Sequence, residues 1–441
     1  MKKNISIKNV CILILVFLYP ILPEYFVFFK WPIFQWLSFA TFVVFVFTSK
    51  KIKDKGTIRV ISIGILLMCV AYAAHRELGS IVSGILNVYI PILLIYNYAI
   101  DEQRITKVIR LIEAGGLILS LEAFCEYFFS YNVFSLLQNT DFDDVMGALV
   151  LNYRYGHARA EGSLGQAIPF ATYLLFVNFF TIVEFKKNRE LHYHNSMLTV
   201  LTYVFSLIAI FFTGSKIGIL IAAVLQVFLF NELQLKKKVA IILILMIVAV
   251  FAMATGDNNV GSISDIKYTI LGLFNSSYYS KLSDGGQNLT YRIYLFKTLS
   301  STIKEHFLTG LGAYGRQRFS FKMITSTSSW EGATSIDDYY LDILVSYGFI
   351  GLISGLYPFI MGIYYSLKGR KAQAAGNMSW LFNQCLIMIV LYLFILISVT
   401  QLGEKRIFYE FVALILSCWR VQRHQLRSRD INSEMLPTTV R

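Results

Sequence analysis

The chain has 441 residues, of which 56% are hydrophobic and only 15% are charged, and its formal net charge is +13. Soluble globular domains are about 45–50% apolar and about 25% charged, so this composition argues against a soluble protein. The positive charge does not indicate a nucleic-acid partner, because it is concentrated in alternate connections between apolar segments. The five cysteines form no CxxC pair, so neither a zinc site nor a disulfide framework is expected.

Apolar segments of about twenty residues recur along the whole chain. A helix needs about 20 apolar residues to cross a bilayer, and in lipid it must pair its own backbone groups. The sequence therefore predicts an all-α integral membrane protein with about twelve transmembrane helices. The predicted spans are 9–29, 33–48, 58–74, 82–98, 108–129, 166–185, 196–213, 216–231, 238–255, 340–366, 380–399 and 406–420. The basic N-terminus resembles a signal peptide without a cleavage site, so we interpret the first span as a retained helix.

Alternate connections between these spans are rich in Lys and Arg. They lie at 50–55, 104–110, 186–189, 236–238 and 368–371, and residues 421–441 form a basic tail. Cytoplasmic connections favour Lys and Arg, so both termini are predicted to be cytoplasmic.

Two long outer loops follow from this orientation. The first loop covers residues 130–165 and belongs to residues 1–255, which contain the first nine spans. The larger loop covers 256–339, and the last three spans follow it in residues 340–420. The larger loop is rich in aromatic residues, so we expect it to fold against the membrane surface. A helix is predicted over 288–306, with apolar residues at helical spacing. These are Leu289, Ile293, Phe296, Leu299 and Ile303.

Charged residues stand where the first long outer loop meets the sixth span. They are Arg154, Arg159 and Glu161. Arginine presents a planar set of donors that suits phosphate or carboxylate oxygens, so the two arginines indicate an anionic ligand. The alternative is interfacial arginines that bind lipid headgroups.

A tight turn, Thr213-Gly-Ser-Lys216, joins the seventh and eighth spans. A short turn that contains glycine is structurally ordinary. A lysine between two membrane helices is not, because burial of its charge is costly and a charge kept there usually faces a cavity or a partner.

Three aspartates stand where the large loop enters the tenth span: Asp337, Asp338 and Asp342. Asp338 and Asp342 are four residues apart and would share a helical face. Carboxylates in the first turn of a helix also suit its dipole. The functional interpretation is a general base, or a divalent-metal site for a pyrophosphate.

The glycines Gly310, Gly312 and Gly315 match the GxGxxG pattern formally. A dinucleotide site also requires a preceding strand and a βαβ unit, and neither is visible. We interpret these glycines as turns.

Arg159, Lys216, Arg292 and the aspartates together predict a cationic cluster with carboxylates beside it. Such a cluster suits a lipid-pyrophosphate substrate, because cations stabilise the charge of a leaving pyrophosphate. A carboxylate would take the proton from an attacking hydroxyl.

The order of these motifs resembles the O-antigen ligase/polymerase superfamily of bacterial envelope proteins. The motifs are Arg159-x-x-Gly162, Thr213-Gly-Ser-Lys216, Arg292, Asp337-Asp338-Tyr-Tyr-Leu341 and Tyr347-Gly348-Phe-Ile-Gly351, and the similarity is strongest over 159–356. The resemblance implies a bacterial inner (plasma) membrane enzyme with a large outer loop between helices nine and ten. It also implies an undecaprenyl-pyrophosphate-linked oligosaccharide as donor, with no cofactor, metal or nucleotide sugar.

Two departures from the family pattern matter. Lys216 stands where the family usually has arginine, and Asp337-Asp338 stands where ligases have His-Asn. The missing histidine favours a polymerase of O-antigen or capsule, whose donor and acceptor are both lipid-linked. A chain-length regulator and a flippase are possible partners of such an enzyme. By this resemblance Arg159, Lys216 and Arg292 would bind pyrophosphate, supported by Arg154, Glu161 and Asp342, and Asp337 or Asp338 would be the base. The alternatives are a ligase that transfers glycan to lipid A or another acceptor, and a lipid-oligosaccharide flippase.

Overall fold

The computed structural model describes most of the chain. The described residues are 6–29, 31–49, 55–138, 152–154, 157–190, 196–231, 287–324, 329–333, 336–371, 379–398 and 405–434. They are mostly α-helical. The predicted ninth span, 238–255, lies outside the described residues.

The helices are, in chain order, α1 Ile7–Leu18, α2 Ile33–Thr48, α3 Lys55–Ala73, α4 Leu78–Tyr98, α5 Glu102–Phe129, α6 Ala167–Glu190, α7 Met197–Phe212, α8 Lys216–Asn231, α9 Gln287–Glu305, α10 Gly312–Arg318, α11 Tyr339–Lys371, α12 Ser379–Ile395 and α13 Lys405–Glu434. Helix α4 contains a π-helical turn at Ile85–Tyr89. Three short antiparallel pairs join β1 Val27–Phe28 to β2 Trp31–Pro32, β3 Tyr153–Arg154 to β4 His157–Ala158, and β5 Phe321–Ile324 to β6 Ser329–Ala333.

Four of the described helices are long and apolar enough to cross a membrane: α3, α4, α6 and α11. Five more apolar helices are shorter, with 10 to 17 residues. Each predicted span within the described residues overlaps a helix, which confirms the helical fold class. The number of twelve spans and the outer position of the loops stay predictions.

Helix α6 forms the centre of the bundle. Within the 18-residue segment that could cross the membrane, 89% of α6 is buried, against 28–39% for the other three long apolar helices. Phe170, Leu174 and Val177 on this helix have no exposed surface. A helix that is apolar on all sides belongs in a protein core or in lipid, and the burial of α6 shows that other helices, not lipid, cover it.

The first predicted span is too long. The prediction ran to residue 29, but α1 ends at Leu18 and is followed by turns and the β1–β2 pair. Pro20 and Pro23 explain this, because proline lacks a backbone donor and disfavours helix in the residue before it. The guanidinium of Arg406 donates to the carbonyl oxygens of Tyr19 at 2.8 Å and Leu22 at 2.6 Å, which satisfies backbone acceptors beyond the helix.

The predicted helix over 288–306 is confirmed as α9, but its buried stripe differs from the prediction. Leu295 and Leu299 are fully buried with Val345 in a cluster against α11, and Ile303 packs on it. Phe296 is 60% exposed instead. The stripe therefore follows a spacing of four residues, and α9 is fixed on the start of α11.

Helix α11 is interrupted at Gly348, whose φ is +64°. The connection between α9 and α10 fills the break: Phe349 N donates to Phe307 O at 2.7 Å, and Leu311 N donates to Val345 O at 2.9 Å. Gly310 has φ of +70° and lies directly against the backbone of Ser346. Gly310 thus allows two backbones to approach closely, which agrees with its interpretation as a turn, whereas Gly312 and Gly315 lie in α10.

Candidate functional site

The segment that carries Arg159 is hydrogen-bonded to the turn that carries Lys216. Arg159 Nε donates to the carbonyl oxygen of Thr213 at 2.9 Å, and Ala160 N donates to Phe212 O at 3.0 Å. Two sequence motifs that are more than fifty residues apart are therefore neighbours, as the predicted cationic cluster requires.

A buried carboxylate holds the other end of the Arg159-x-x-Gly162 motif. Glu126 Oε2 accepts the backbone N–H groups of Glu161 and Gly162, both at 2.8 Å, and its Oε1 accepts from Asn132 at 2.6 Å. Gly162 has φ of +56°, and a Cβ there would meet the ring of Phe170 at 2.8 Å. The glycine of the motif is thus required by backbone conformation and by packing.

Glu161 lies in this network with only 3% of its surface exposed. Burial raises its pKa from 4.5 to about 7, while a hydrogen bond from Asn152 opposes this rise. Asn152 Nδ2 donates to Glu161 Oε1 at 2.7 Å. A carboxyl group with a pKa near neutrality can exchange a proton at physiological pH.

The Thr213-Gly-Ser-Lys216 turn is built by local hydrogen bonds. Gly214 has φ of +58°, and Ser215 N donates to Thr213 Oγ1 at 3.2 Å. Ser215 Oγ accepts from Gly218 N at 3.2 Å and so caps α8. Lys216 is the first residue of α8 and is half-buried. Backbone donors and an ammonium group at a helix start favour an anion.

The three aspartates differ in their surroundings. Asp338 Oδ1 accepts from Leu341 N at 2.9 Å and so caps α11. Asp342 Oδ1 accepts from Arg316 Nε at 2.8 Å, which fixes α10 to α11. Asp337 is exposed just before the helix. The predicted carboxylate cluster therefore divides into a helix cap, an ion-paired residue and an exposed residue.

The start of α10 is held by Glu77, in the connection between α3 and α4. Glu77 Oε1 accepts from Ala313 N, and its Oε2 accepts from Tyr347 Oη at 2.9 Å. His75 Nε2 lies 2.6 Å from the carbonyl oxygen of Thr309. These contacts position Arg316 beside Asp342.

A cavity of about 640 Å³ opens between α2, α3, α4, α10, α11 and α13. Its charged lining residues, within the described ranges, are Glu24, Arg316, Asp342 and Arg406. Its volume is within the range of about 300–1,000 Å³ of small-molecule sites. Arg159 and Lys216 are not among the described residues that line it.

A second cavity of about 1,150 Å³ lies beside the C-terminal end of α4 and the middle of α13. It is lined by charges of both signs, including Lys8, Asp101, Glu102, Arg420 and Arg423. These residues belong to the predicted cytoplasmic connections, so this cavity is at the wrong end of the bundle for the predicted chemistry.

The structure thus places the predicted site residues in two groups. Arg159 contacts the Lys216 turn, with Glu161 two residues further along the same segment, and Asp342 pairs with Arg316 on the helix that Asp338 caps. The side chains of Arg154 and Arg292 lie outside the described residues, although their backbones lie in β3 and α9. In the part of the chain that the structure describes, no three His, Cys, Asp or Glu side chains are arranged to hold a metal ion.

Glu126, Arg316 and Arg406 were not predicted as site residues. A carboxylate inside an apolar span is a signal that could have identified Glu126. Arg316 and Arg406 contact partners that are distant in sequence, so no local pattern marks them.

The described helices form an apolar bundle. The contact of Arg159 with the Lys216 turn and the Arg316–Asp342 pair place polar groups at helix ends, an arrangement that suits a membrane enzyme. Residues 201–356, about a third of the chain, match the family model for O-Antigen ligase. No match was found among curated proteins. This match overlaps the region whose motifs resemble the O-antigen ligase/polymerase superfamily, which confirms that resemblance. That family implies a membrane glycosyltransferase-like function. The matched residues begin in α7, include the Lys216 turn and end in α11.

Proposed function

We propose that this protein is an O-antigen or capsular polysaccharide polymerase of a bacterial inner (plasma) membrane. It transfers the glycan of one undecaprenyl-pyrophosphate-linked oligosaccharide to the non-reducing end of another. The contact of Arg159 with the Thr213–Lys216 turn carries this proposal, because it brings two predicted pyrophosphate-binding cations to one place. The O-antigen ligase match supports the reaction class.

In the proposed step, the acceptor hydroxyl oxygen attacks the anomeric carbon of the donor glycan. A new glycosidic bond forms, and the bond between that carbon and the pyrophosphate oxygen breaks. The leaving pyrophosphate keeps the electron pair and remains on its lipid, where Arg159, Lys216 and Arg292 stabilise its charge. The hydroxyl proton passes to a carboxylate.

Asp337 is the better candidate for that base than Asp338. Asp338 is partly buried at the start of α11, where it caps the helix, whereas the side chain of Asp337 is exposed at the predicted outer surface and is therefore accessible to a substrate. Asp342 is engaged with Arg316 and has a positioning role in this proposal.

A ligase is the second candidate, and the description of the matching family favours it. The acidic pair Asp337-Asp338, at the position where ligases have His-Asn, favours the polymerase. The surface glycan of a deletion strain distinguishes the two. Loss of a polymerase leaves single repeat units on the surface, whereas loss of a ligase leaves no glycan there and accumulates lipid-linked polymer, which would overturn the choice.

A reconstituted assay tests the enzyme against a transporter. The purified protein should elongate lipid-linked repeat units in detergent, where no membrane gradient exists. If the purified protein moves lipid-linked oligosaccharide across vesicle membranes but never elongates it, the protein is a flippase and not a polymerase.

A further inference from the structure

The cavity between α2, α3, α4, α10, α11 and α13 has balanced charges. Arg316 Nε lies 2.8 Å from Asp342 Oδ1, and Arg406 Nη2 lies 3.9 Å from Glu24 Oε1. Each described cation in the lining is thus accompanied by a carboxylate. Such a lining does not attract a doubly charged pyrophosphate, because the two carboxylates would repel it and offset the attraction of the two arginines. It suits an uncharged, polar ligand.

Amides and hydroxyls reach deep into this cavity. Gln35 of α2 donates from Nε2 to Ser83 Oγ at 3.0 Å, and Asn87 donates from Nδ2 to the same oxygen at 3.2 Å. All three residues line the cavity. The Oδ1 atom of Asn87 is buried and has no hydrogen-bond partner among the described residues. A buried acceptor without a partner is unfavourable, so a ligand that donates a hydroxyl here would relieve that cost.

The backbone at Asn87 is also unusual. Asn87 stands at the centre of the π-helical turn Ile85–Tyr89, and its carbonyl oxygen accepts from Tyr19 Oη. Single π-helical turns inside α-helices occur frequently at functional sites. Polar residues within apolar helices likewise usually face a cavity or a partner. Two independent features, one of the backbone and one of the side chains, therefore mark the same position.

Aromatic rings complete the wall of the cavity. Trp31, Tyr72 and Tyr347 line the cavity together with the Arg316–Asp342 pair. Flat apolar rings beside hydroxyl and amide groups match the two kinds of surface that a sugar ring presents.

From these features we infer that this cavity binds the uncharged, hydroxyl-rich oligosaccharide of a lipid-linked substrate through Gln35, Ser83 and Asn87, apart from the pyrophosphate. The inference rests on the proposed function, which puts the pyrophosphate at Arg159 and Lys216. It assigns the amide and hydroxyl contacts to the N-terminal third of the chain, outside the region that matches the O-antigen ligase family, whereas Tyr347 and the Arg316–Asp342 pair lie inside that region.

Gly79 allows a direct steric test. It lines the cavity, and a Cβ built on it meets nothing within 4 Å, so Gly79→Trp should place a ring in the opening without a backbone clash. Leu78→Trp is the matched control, because Leu78 is the neighbouring residue, is 74% exposed and is not among the lining residues. Asn87→Leu removes the deep amide as a second, chemically different change.

Binding is measured on the purified full chain with two probes. One is the repeat-unit oligosaccharide released by mild acid from the polysaccharide of the encoding organism, and the other is inorganic pyrophosphate. We expect Gly79→Trp and Asn87→Leu to weaken oligosaccharide binding by about tenfold or more. For Asn87→Leu this is the loss expected for one buried hydrogen bond. Both variants should leave pyrophosphate binding unchanged. Lys216→Ala should show the opposite pattern, and Leu78→Trp should change neither.

Oligosaccharide binding that is equal in Gly79→Trp and Leu78→Trp, or absent in the wild type, would overturn the inference. Loss of pyrophosphate binding in Gly79→Trp would show that the cavity holds the anion instead. Elongation of lipid-linked repeats is a separate readout. Elongation that survives in Gly79→Trp refutes only the cavity assignment, whereas oligosaccharide binding by a wild type that never elongates refutes only the proposed function.

Discussion

Arg159 Nε lies 2.9 Å from the carbonyl oxygen of Thr213, so the guanidinium both fixes the turn before Lys216 and contributes charge beside it. We expect Arg159→Ala to lower elongation of lipid-linked repeats by tenfold or more, since a charged hydrogen bond contributes about 1.5–3 kcal/mol. Arg159→Lys should recover little, because lysine lacks the planar set of donors. The measurement is the rate of polymer formation by purified protein in detergent.

Arg318→Ala is the matched control for Arg159. This arginine is exposed, and its guanidinium carbon lies 4.1 Å from the centre of the Tyr314 ring. Equal losses in Arg159→Ala and Arg318→Ala would mean that general positive charge, not this junction, supports the reaction.

Lys216→Arg tests the departure from the usual family motif. Arginine can bind phosphate oxygens with two donors, whereas the lysine ammonium acts as a point charge. We expect Lys216→Arg to keep the elongation rate and lower the KM for the lipid-linked donor, and Lys216→Ala to raise that KM by about tenfold. A Lys216→Ala variant with an unchanged KM would remove this residue from the pyrophosphate site.

The aspartates at the start of α11 can be separated by amide substitution. Asparagine caps helices about as well as aspartate, so Asp338→Asn should keep the cap to Leu341 and most of the activity. Asp338→Ala should lower the free energy of unfolding by about 1 kcal/mol. Asp337→Asn should reduce the elongation rate by about 10²–10⁴-fold without changing the Tm, as expected for a general base. The reverse pattern of activities would make Asp338 the base.

The pH dependence of stability tests the environment of Glu161. Because burial raises its folded-state pKa to about 7, the folded protein keeps a proton that the unfolded chain loses near pH 4.5. This contribution to stability is complete below the unfolded pKa and is lost as the pH rises through the folded pKa. The wild-type Tm should therefore fall more steeply than that of Glu161→Gln between about pH 5 and about pH 8.

Glu305→Gln serves as the control in the same Tm series, since Glu305 is an exposed carboxylate at the end of α9. It reports the effect of removing one surface carboxylate on the Tm. Parallel slopes in wild type and Glu161→Gln would show that this carboxyl group does not titrate in that range.

Local patterns predicted the helices well. Helices α2 and α8 have the predicted bounds, and α9 differs by one residue at each end, because hydrophobic length and periodicity are properties of neighbouring residues. The predicted ends of the first and last helices were wrong. Pro20 and Pro23 end the first helix early, and α13 continues to Glu434 through the region predicted as a tail.

The site was less predictable, because its contacts join distant residues. Gly162 binds a carboxylate 36 residues earlier, Arg316 binds one 26 residues later, and Arg406 reaches a carbonyl 384 residues earlier. Motif order suggested that Arg159 and the Lys216 turn are neighbours, and the structure places them together. Nothing in the local sequence separates Asp338 as a helix cap from Asp337.

The break at Gly348 has a consequence for how the protein is made. The amide donors of Phe349 and Ile350 are satisfied by carbonyl groups of residues 307 and 308, not by their own helix. Lipid offers no substitute acceptors. Completion of this helix during membrane insertion therefore depends on the upstream segment being in place beside it. A chain from which 256–339 has been deleted should be recognised by cellular quality control and degraded, so absence of the protein from the membrane is the phenotype to expect of that deletion.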